Sequence, residues 1–156
     1  MPRGKIITKE QKEPDTKYKS RVITKFINMV MLNGKKSVAL KIVYGMMDAL
    51  QEEDAKETRN YFENAVKNVM PEVEVRTRRV GGANYQIPVP VKHDRAETLA
   101  LRWIIAAAKG QKGIPVAKAL TNEIKAAFRN EGSAIKKKLD MHRMADANKA
   151  FAHFKW

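Results

Sequence analysis

The chain has 156 residues, 44% of them hydrophobic, with 31 lysines and arginines against 17 acids, so it carries a net charge of +14 and a pI near 10.0. A compact body with that much uncompensated charge repels itself, and a polyanion, most commonly nucleic acid, is the simplest compensating partner. The absence of cysteine excludes disulfides, thiol catalysis and cysteine-ligated zinc, and no apolar run approaches the ~18 residues that a membrane helix needs.

The N-terminus, MPRGKIITKEQKEP, is basic but lacks the apolar centre of a signal peptide, so the protein reads as cytosolic. Residues 1–19 show no periodicity and carry a net charge of +3. They read as an extended basic arm, disordered alone and ordered on a partner. Residues 20–156 read as a single helical domain.

Ser20 stands as an N-cap before Val22, Ile23, Phe26, Ile27, Val30 and Met31, which recur at helical spacing. Asn33-Gly34 tolerate the left-handed backbone that ends a helix. A second helix opens near Ser37 and is expected to bury Val38, Ile42, Val43, Met46, Ala49 and Leu50. It closes on the acidic run Glu52, Glu53, Asp54. Residues 37–72 carry a net charge of −3, a stretch expected to face water or a basic protein neighbour and not phosphate. A third helix runs from about Glu57, with Tyr61, Phe62, Ala65, Val66 and Val69 inward, and stops before Pro71.

The period then changes from 3.6 to 2. Val73, Val75 and Thr77 alternate with Glu74, Arg76 and Arg78; beyond Gly-Gly-Ala-Asn, Tyr85, Ile87, Val89 and Val91 alternate with Gln86, Pro88 and Pro90. This pattern is a β-hairpin over about 73–91, and the two prolines keep its return strand out of a sheet interior. A lone two-stranded ribbon is marginal by itself, so it must lean on helices at its base and on a ligand at its tip.

Helices resume with Asp94 and Glu97 spaced as a capping box, then Leu99, Leu101, Trp103, Ile104 and Ala107 up to Gly110. Pro115 suits the first turn of the next helix, whose stripe is Val116, Leu120, Ile124, Ala127 and Phe128. Gly132-Ser133 starts the last, with Ile135, Leu139, Met141 and Ala145. The expected fold is mainly α: six helices, bundle-like, with a protruding two-stranded hairpin between helices 3 and 4.

Enzymatic chemistry lacks an inventory. His93, His142 and His153 are scattered, without metal-ligand spacing, and His142 reads as a helix-surface residue. Gly34-Lys35-Lys36-Ser37 echoes the end of a phosphate loop, but Met29 stands where its first glycine is required. No cofactor or metal is expected.

The ribbon carries the sharpest signal. Arg76, Arg78 and Arg79 precede Gly81, Gly82, Ala83, Asn84 and Tyr85. Arg76 and Arg78 share a strand face, the glycines allow close backbone approach, and Tyr85 offers a flat ring for stacking. Strands of seven residues reach roughly 24 Å, far enough to enter a site that the body cannot. Lys136, Lys137, Lys138 and Arg143 on the last helix, and Lys35-Lys36 at a helix junction, are further phosphate candidates. In the terminal FAHFKW, Phe151 reads as core and Trp156 as a contact or exposed residue.

At GKKS, RRVGGANYQIPV, LRW, NEI and MHRMADANKAFAHFKW the chain resembles the bacterial small-subunit ribosomal protein seven family over essentially its whole length. It departs from many members at Thr16, Lys19 and Pro90, where proline, asparagine and an acid are common, and at Phe154-Lys155, where a Tyr-Arg pair is common. The resemblance implies binding to the three-prime major domain of small-subunit ribosomal RNA (rRNA) and nucleation of head assembly. It also implies a ribbon and C-terminal helix beside exit-site transfer RNA (tRNA) and messenger RNA (mRNA), and contacts with neighbouring proteins of head and platform.

The residues assigned to rRNA are Arg3, Lys5, Lys9, Lys12, Lys35, Lys36, Arg76, Arg78, Arg79, Arg95, Lys112, Lys118, Lys136, Lys137 and Lys138. Those assigned near tRNA and mRNA are Gly81, Gly82, Ala83, Asn84, Tyr85, Arg143, Lys149 and Trp156. The free protein is expected to be a monomer. The alternative is an architectural DNA-binding protein with a β-arm, although such arms carry a wedge at the tip, whereas Pro88 and Pro90 lie within the return strand.

Overall fold

A computed structural model describes residues 13–51 and 58–154. Its elements run α1 (Arg21–Val30), α2 (Lys36–Gln51), α3 (Thr58–Val69), β1 (Val73–Val80), β2 (Ala83–Pro90), α4 (His93–Gly110), α5 (Val116–Phe128) and α6 (Gly132–Ala147), followed by a 3-10 helix, Lys149–Phe154. The helical body with one hairpin between α3 and α4 is the expected architecture; the terminal 3-10 helix is an addition to it.

Helix α5 is central and packs on α2, α3, α4 and α6. Ile23, Phe26, Met46, Met47, Phe62, Leu101, Ile104, Leu120 and Ile124 are fully buried in one cluster, each large side chain contributing about 1.5–3 kcal/mol by leaving water. Phe26 and Phe62 meet with ring centroids 5.3 Å apart and planes tilted by 56°, one of the geometries that the ring quadrupole favours.

Four residues expected in the core are exposed: Val38 (50%), Val116 (43%), Phe128 (39%) and Leu139 (55%). Val38, Val116 and Phe128 stand in the outermost turn of their helices. Leu139 is mid-helix, but α6 buries only Ala134, Ile135 and Ala145, so its inward face is narrower than the sequence stripe. Phe128 still stacks on Tyr61, with centroids 3.9 Å apart.

One expected cap lacks its side-chain bond and another does not form. Ser20 occupies the N-cap position of α1 without a side-chain cap bond; its hydroxyl donates to Glu63 Oε1 at 2.7 Å. The Asp94/Glu97 box does not form: Lys92 is the N-cap of α4, and Glu97 pairs with Lys25 Nζ at 2.6 Å. Pro115 sits one residue ahead of the first turn of α5, at its N-cap.

The strands pair antiparallel from Val73↔Pro90 to Val80↔Ala83. Ala83 and Asn84 therefore belong to the strand, and the loop is the two residues Gly81-Gly82, with φ of +58° and +89°. Positive φ at both positions gives the turn whose twist matches a hairpin.

Candidate nucleic-acid interface

Eight residues per strand span about 26 Å, and the exposed stretch runs from Arg76 through Asn84 apart from Val80, whose side chain lies outside the description. The opposite end is anchored. Among the ribbon's side chains, Glu74 (5% exposed) and Ile87 (3%) are buried, and both lie on the face that carries Arg76, Arg78 and Tyr85. That face leans on the body, through contacts with α6 and the 3-10 helix.

Two helix side chains fasten the chain just before the ribbon. His142 Nε2 accepts the Glu72 N–H at 3.1 Å, so His142 is a half-buried structural partner and not the surface residue expected. Lys138 Nζ donates to the Asn68 carbonyl at 2.9 Å and is half-buried, while Lys136 and Lys137 are exposed.

Further out, Tyr85 and Phe151 meet with centroids 5.3 Å apart and planes tilted by 57°, and Asn148 Nδ2 donates to Gln86 Oε1 at 3.4 Å. One part of the Tyr85 ring is thus spent on the C-terminal segment, and Phe151 is a half-buried brace for the ribbon in place of a core residue. Lys149, at the start of the 3-10 helix, and Arg143, whose Nη1 is 3.9 Å from Asp140 Oδ1, are exposed.

At the ribbon base Arg76 Nε reaches Glu74 Oε1 at 2.6 Å, joined by its Nη2, and Arg95 Nε reaches Oε2 at 3.3 Å. The structure so brings together Arg76 of β1 and Arg95 of α4, two candidates 19 positions apart in sequence. The acid that joins them escaped the sequence reading, because an isolated glutamate among arginines looks like charge dilution; its burial is the missing signal.

Lys35 and Lys36 are exposed beside Asn33 and Gly34, whose φ of +50° and +73° make the left-handed turn expected of that pair. Lys112 is exposed in the α4–α5 loop. Lys118 is exposed in a groove of about 450 Å³ between α2 and α5, lined also by Gly45, Ala49, Asn122 and Lys125. Arg102 and Lys109, not singled out from the sequence, line a shallower cleft with Met29, Ile105 and Ala106. Arg3, Lys5, Lys9, Lys12, Trp156 and the run Glu52 to Asp54 lie outside the described residues.

The end of the arm nearest the body is tied down. Asp15, 8% exposed, accepts the N–H groups of Lys17 and Tyr18, both at 3.1 Å, and the Tyr44 hydroxyl at 2.9 Å. Lys17 Nζ bonds Asp48 at 2.7 Å. That bond raises the Lys17 pKa above its ordinary value, and burial pushes the Tyr18 and Tyr44 phenols up. These bonds join residues 15–18, within the stretch read as the arm, to Tyr44 and Asp48 of α2.

Among the described residues no group of three or more His, Asp or Glu side chains is placed to hold a metal, and no helix is long and apolar enough to cross a membrane. The candidate surface is one of cations, backbone and a few aromatic rings.

Comparison with known proteins gives this surface a context. The family model for ribosomal protein S7p/S5e matches residues 2–149. The chain belongs to the ribosomal protein S7p/S5e family. Relatives named small ribosomal subunit protein uS7 align over the full length of both chains at 53% identity in Pelotomaculum thermopropionicum and 53% in Dictyoglomus turgidum. The one from Thermotoga maritima is 51% identical over 148 residues, covering 95% of this chain and 96% of its own. The matched span includes the whole ribbon, both partners of Glu74 and all of α6, so the basic surface described above belongs to the S7p/S5e body itself. Members of this family are structural, non-enzymatic components of the small ribosomal subunit.

Proposed function

We propose that this chain clamps the three-prime major domain of small-subunit rRNA in the cytoplasmic ribosome, nucleates assembly of the head, and reaches exit-site tRNA and mRNA with its ribbon and C-terminal helix. The observation that carries this reading is the ribbon: a long arm of exposed arginines with a two-glycine tip, mounted on a body of the S7p/S5e family. Lys35-Lys36, Lys112, Lys118, Lys136 and Lys137 extend the cationic surface over other elements, as a clamp on several converging RNA helices requires. Head and platform ribosomal proteins are its neighbours in this reading.

Each neutralised phosphate releases counterions, so affinity falls steeply with salt, by about 10³–10⁵-fold between 50 and 200 mM for six to ten contacts. Specificity comes from RNA shape and unstacked bases, because the major groove of A-form RNA is too narrow to read. Footprinting on full-length small-subunit RNA is the test: protection confined to the three-prime major domain is expected, and diffuse protection overturns the reading. Replacing Arg76, Arg78 and Arg79 together with alanine weakens binding and lowers the salt slope by about two to three; an unchanged slope removes the ribbon from the interface.

A further inference from the structure

A buried acid inside a surface built for a polyanion calls for an explanation. The Glu74 side chain is 7% exposed, while those of Arg76 and Arg95 are 62% and 46% exposed. A carboxylate out of water is costly unless paired and hydrogen-bonded, and here each oxygen has its own guanidinium. A guanidinium has five N–H donors. Glu74 accepts one N–H from Arg76 and one from Arg95, with Arg76 Nη2 also beside Oε1, so most of the donors on this pair remain for another acceptor. The two side chains come from different elements, and one acid fixes both.

We propose that Glu74 is a positioning residue that makes Arg76 and Arg95 into one preset fork for an RNA backbone phosphate at the junction of ribbon and α4. Arginine suits the role because its planar donors match phosphate geometry. Ordering both side chains during folding removes that entropic cost from binding. The inference rests on the RNA-clamping reading above and adds to it a site, a ligand atom and a role for an acid.

The sign of one substitution separates this role from simple electrostatics. If Glu74 only repels RNA, neutralising it strengthens binding. If it presets the fork, Glu74→Gln weakens binding despite the gain in net positive charge.

The experiment is filter binding of the full chain to a transcript of the three-prime major domain across a salt series. Glu74→Gln is expected to lose about tenfold in affinity, of the order of one charge-assisted contact, and to flatten the salt slope by about one. In an Arg76→Ala/Arg95→Ala background the same change is expected to do nothing, because the coupling runs through the arginines. Arg95→Lys, which keeps the charge at a half-exposed site and does not depend on the fold of the glutamate variant, is expected to lose several-fold. Unchanged or tighter binding by Glu74→Gln, an equal loss in the background lacking both arginines, or full affinity in Arg95→Lys each overturns the proposal. Equal wild-type affinity for random-sequence duplex overturns the clamping reading instead, and leaves the sign of the Glu74 effect readable on whatever RNA is bound.

Discussion

Two nearly buried glutamates sit at two junctions of this molecule, and they are satisfied in different ways. At the α5–α6 junction Glu123, 3% exposed, accepts the Ala134 N–H at 2.8 Å and meets Gln111 Nε2 at 3.5 Å. Its charge lies at the N-terminal turn of α6, where the helix dipole and otherwise unpaired N–H groups favour an anion. At the ribbon base Glu74 meets two guanidiniums that are themselves half in water. An acid held by backbone donors stabilises a fold and presents nothing outward. An acid held by exposed cations fixes the direction in which those cations point. Burial alone does not distinguish the two; the identity of the donors does.

That contrast can be broken by measuring stability and RNA affinity on the same variants. The largest stability effect is expected at the α5–α6 junction. Glu123→Ala leaves the buried Ala134 N–H without its acceptor and should cost about 3 kcal/mol in urea unfolding, while the folded fraction keeps its RNA affinity. Stability within about 0.5 kcal/mol of wild type would show that water replaces the carboxylate without loss, and the contrast would fail.

Gly132 sharpens the same point at smaller size. Its φ is +92°, and a Cβ there would stand 3.0 Å from both Ala126 Cβ and Glu123 Oε1. Gly132→Ala is expected to cost about 1–3 kcal/mol through strain at that backbone angle, again without a change in salt slope. A variant as stable as wild type would show that the turn between the two helices relaxes.

Lys138 offers a third comparison, between adjacent lysines. Its ammonium is held by the Asn68 carbonyl near the C-terminus of α3, whereas Lys137 is exposed. Lys138→Met should cost about 1 kcal/mol of stability and leave the salt dependence of RNA binding alone. Lys137→Met is expected to do the reverse. A matching fall in salt slope for both would place Lys138 among the phosphate contacts as the sequence reading had it.

These outcomes bear on what the sequence could disclose. Periodicity found α1 to α6, and the switch to period 2 together with Gly81-Gly82 found the ribbon, because both patterns are local. Residues whose partners are distant in sequence were misread. Ser20 is the N-cap of α1 by position, but Glu63 takes its hydroxyl from 43 positions away. Asp94 and Glu97 look like a capping box, but Lys25 takes Glu97 from 72 positions away. The helical stripes reached Val38, Val116 and Leu139, yet a stripe does not say where the body ends. The cations of the site were legible as composition. Their division into anchors, such as Lys138, and presented groups, such as Lys137, was not, since a lysine reads the same whether a carbonyl or water faces it.

A third buried acid, Asp15, extends the comparison and carries the smallest expected effect. It is held by two backbone N–H groups and by the Tyr44 hydroxyl, so it belongs with Glu123 as a structural acid, here tying the chain before α1 to α2. Burial raises the Tyr18 and Tyr44 pKa values above the ordinary 10.0, and the Asp48 bond raises that of Lys17 above 10.5. A folded-state pKa above the unfolded one means that the folded state holds its proton more tightly. The contribution is therefore fully present below about pH 10 and is lost as pH rises through the folded values. The urea midpoint should hold from neutral pH to about 9.5 and fall beyond it. Tyr44→Phe removes one titrating group and one bond to Asp15; it should cost about 1 kcal/mol at neutral pH and flatten the alkaline fall. An alkaline limb just as steep in that variant would assign the loss to the protein's other lysines and tyrosines, and would leave Asp15 a local turn-former with no share in holding the arm.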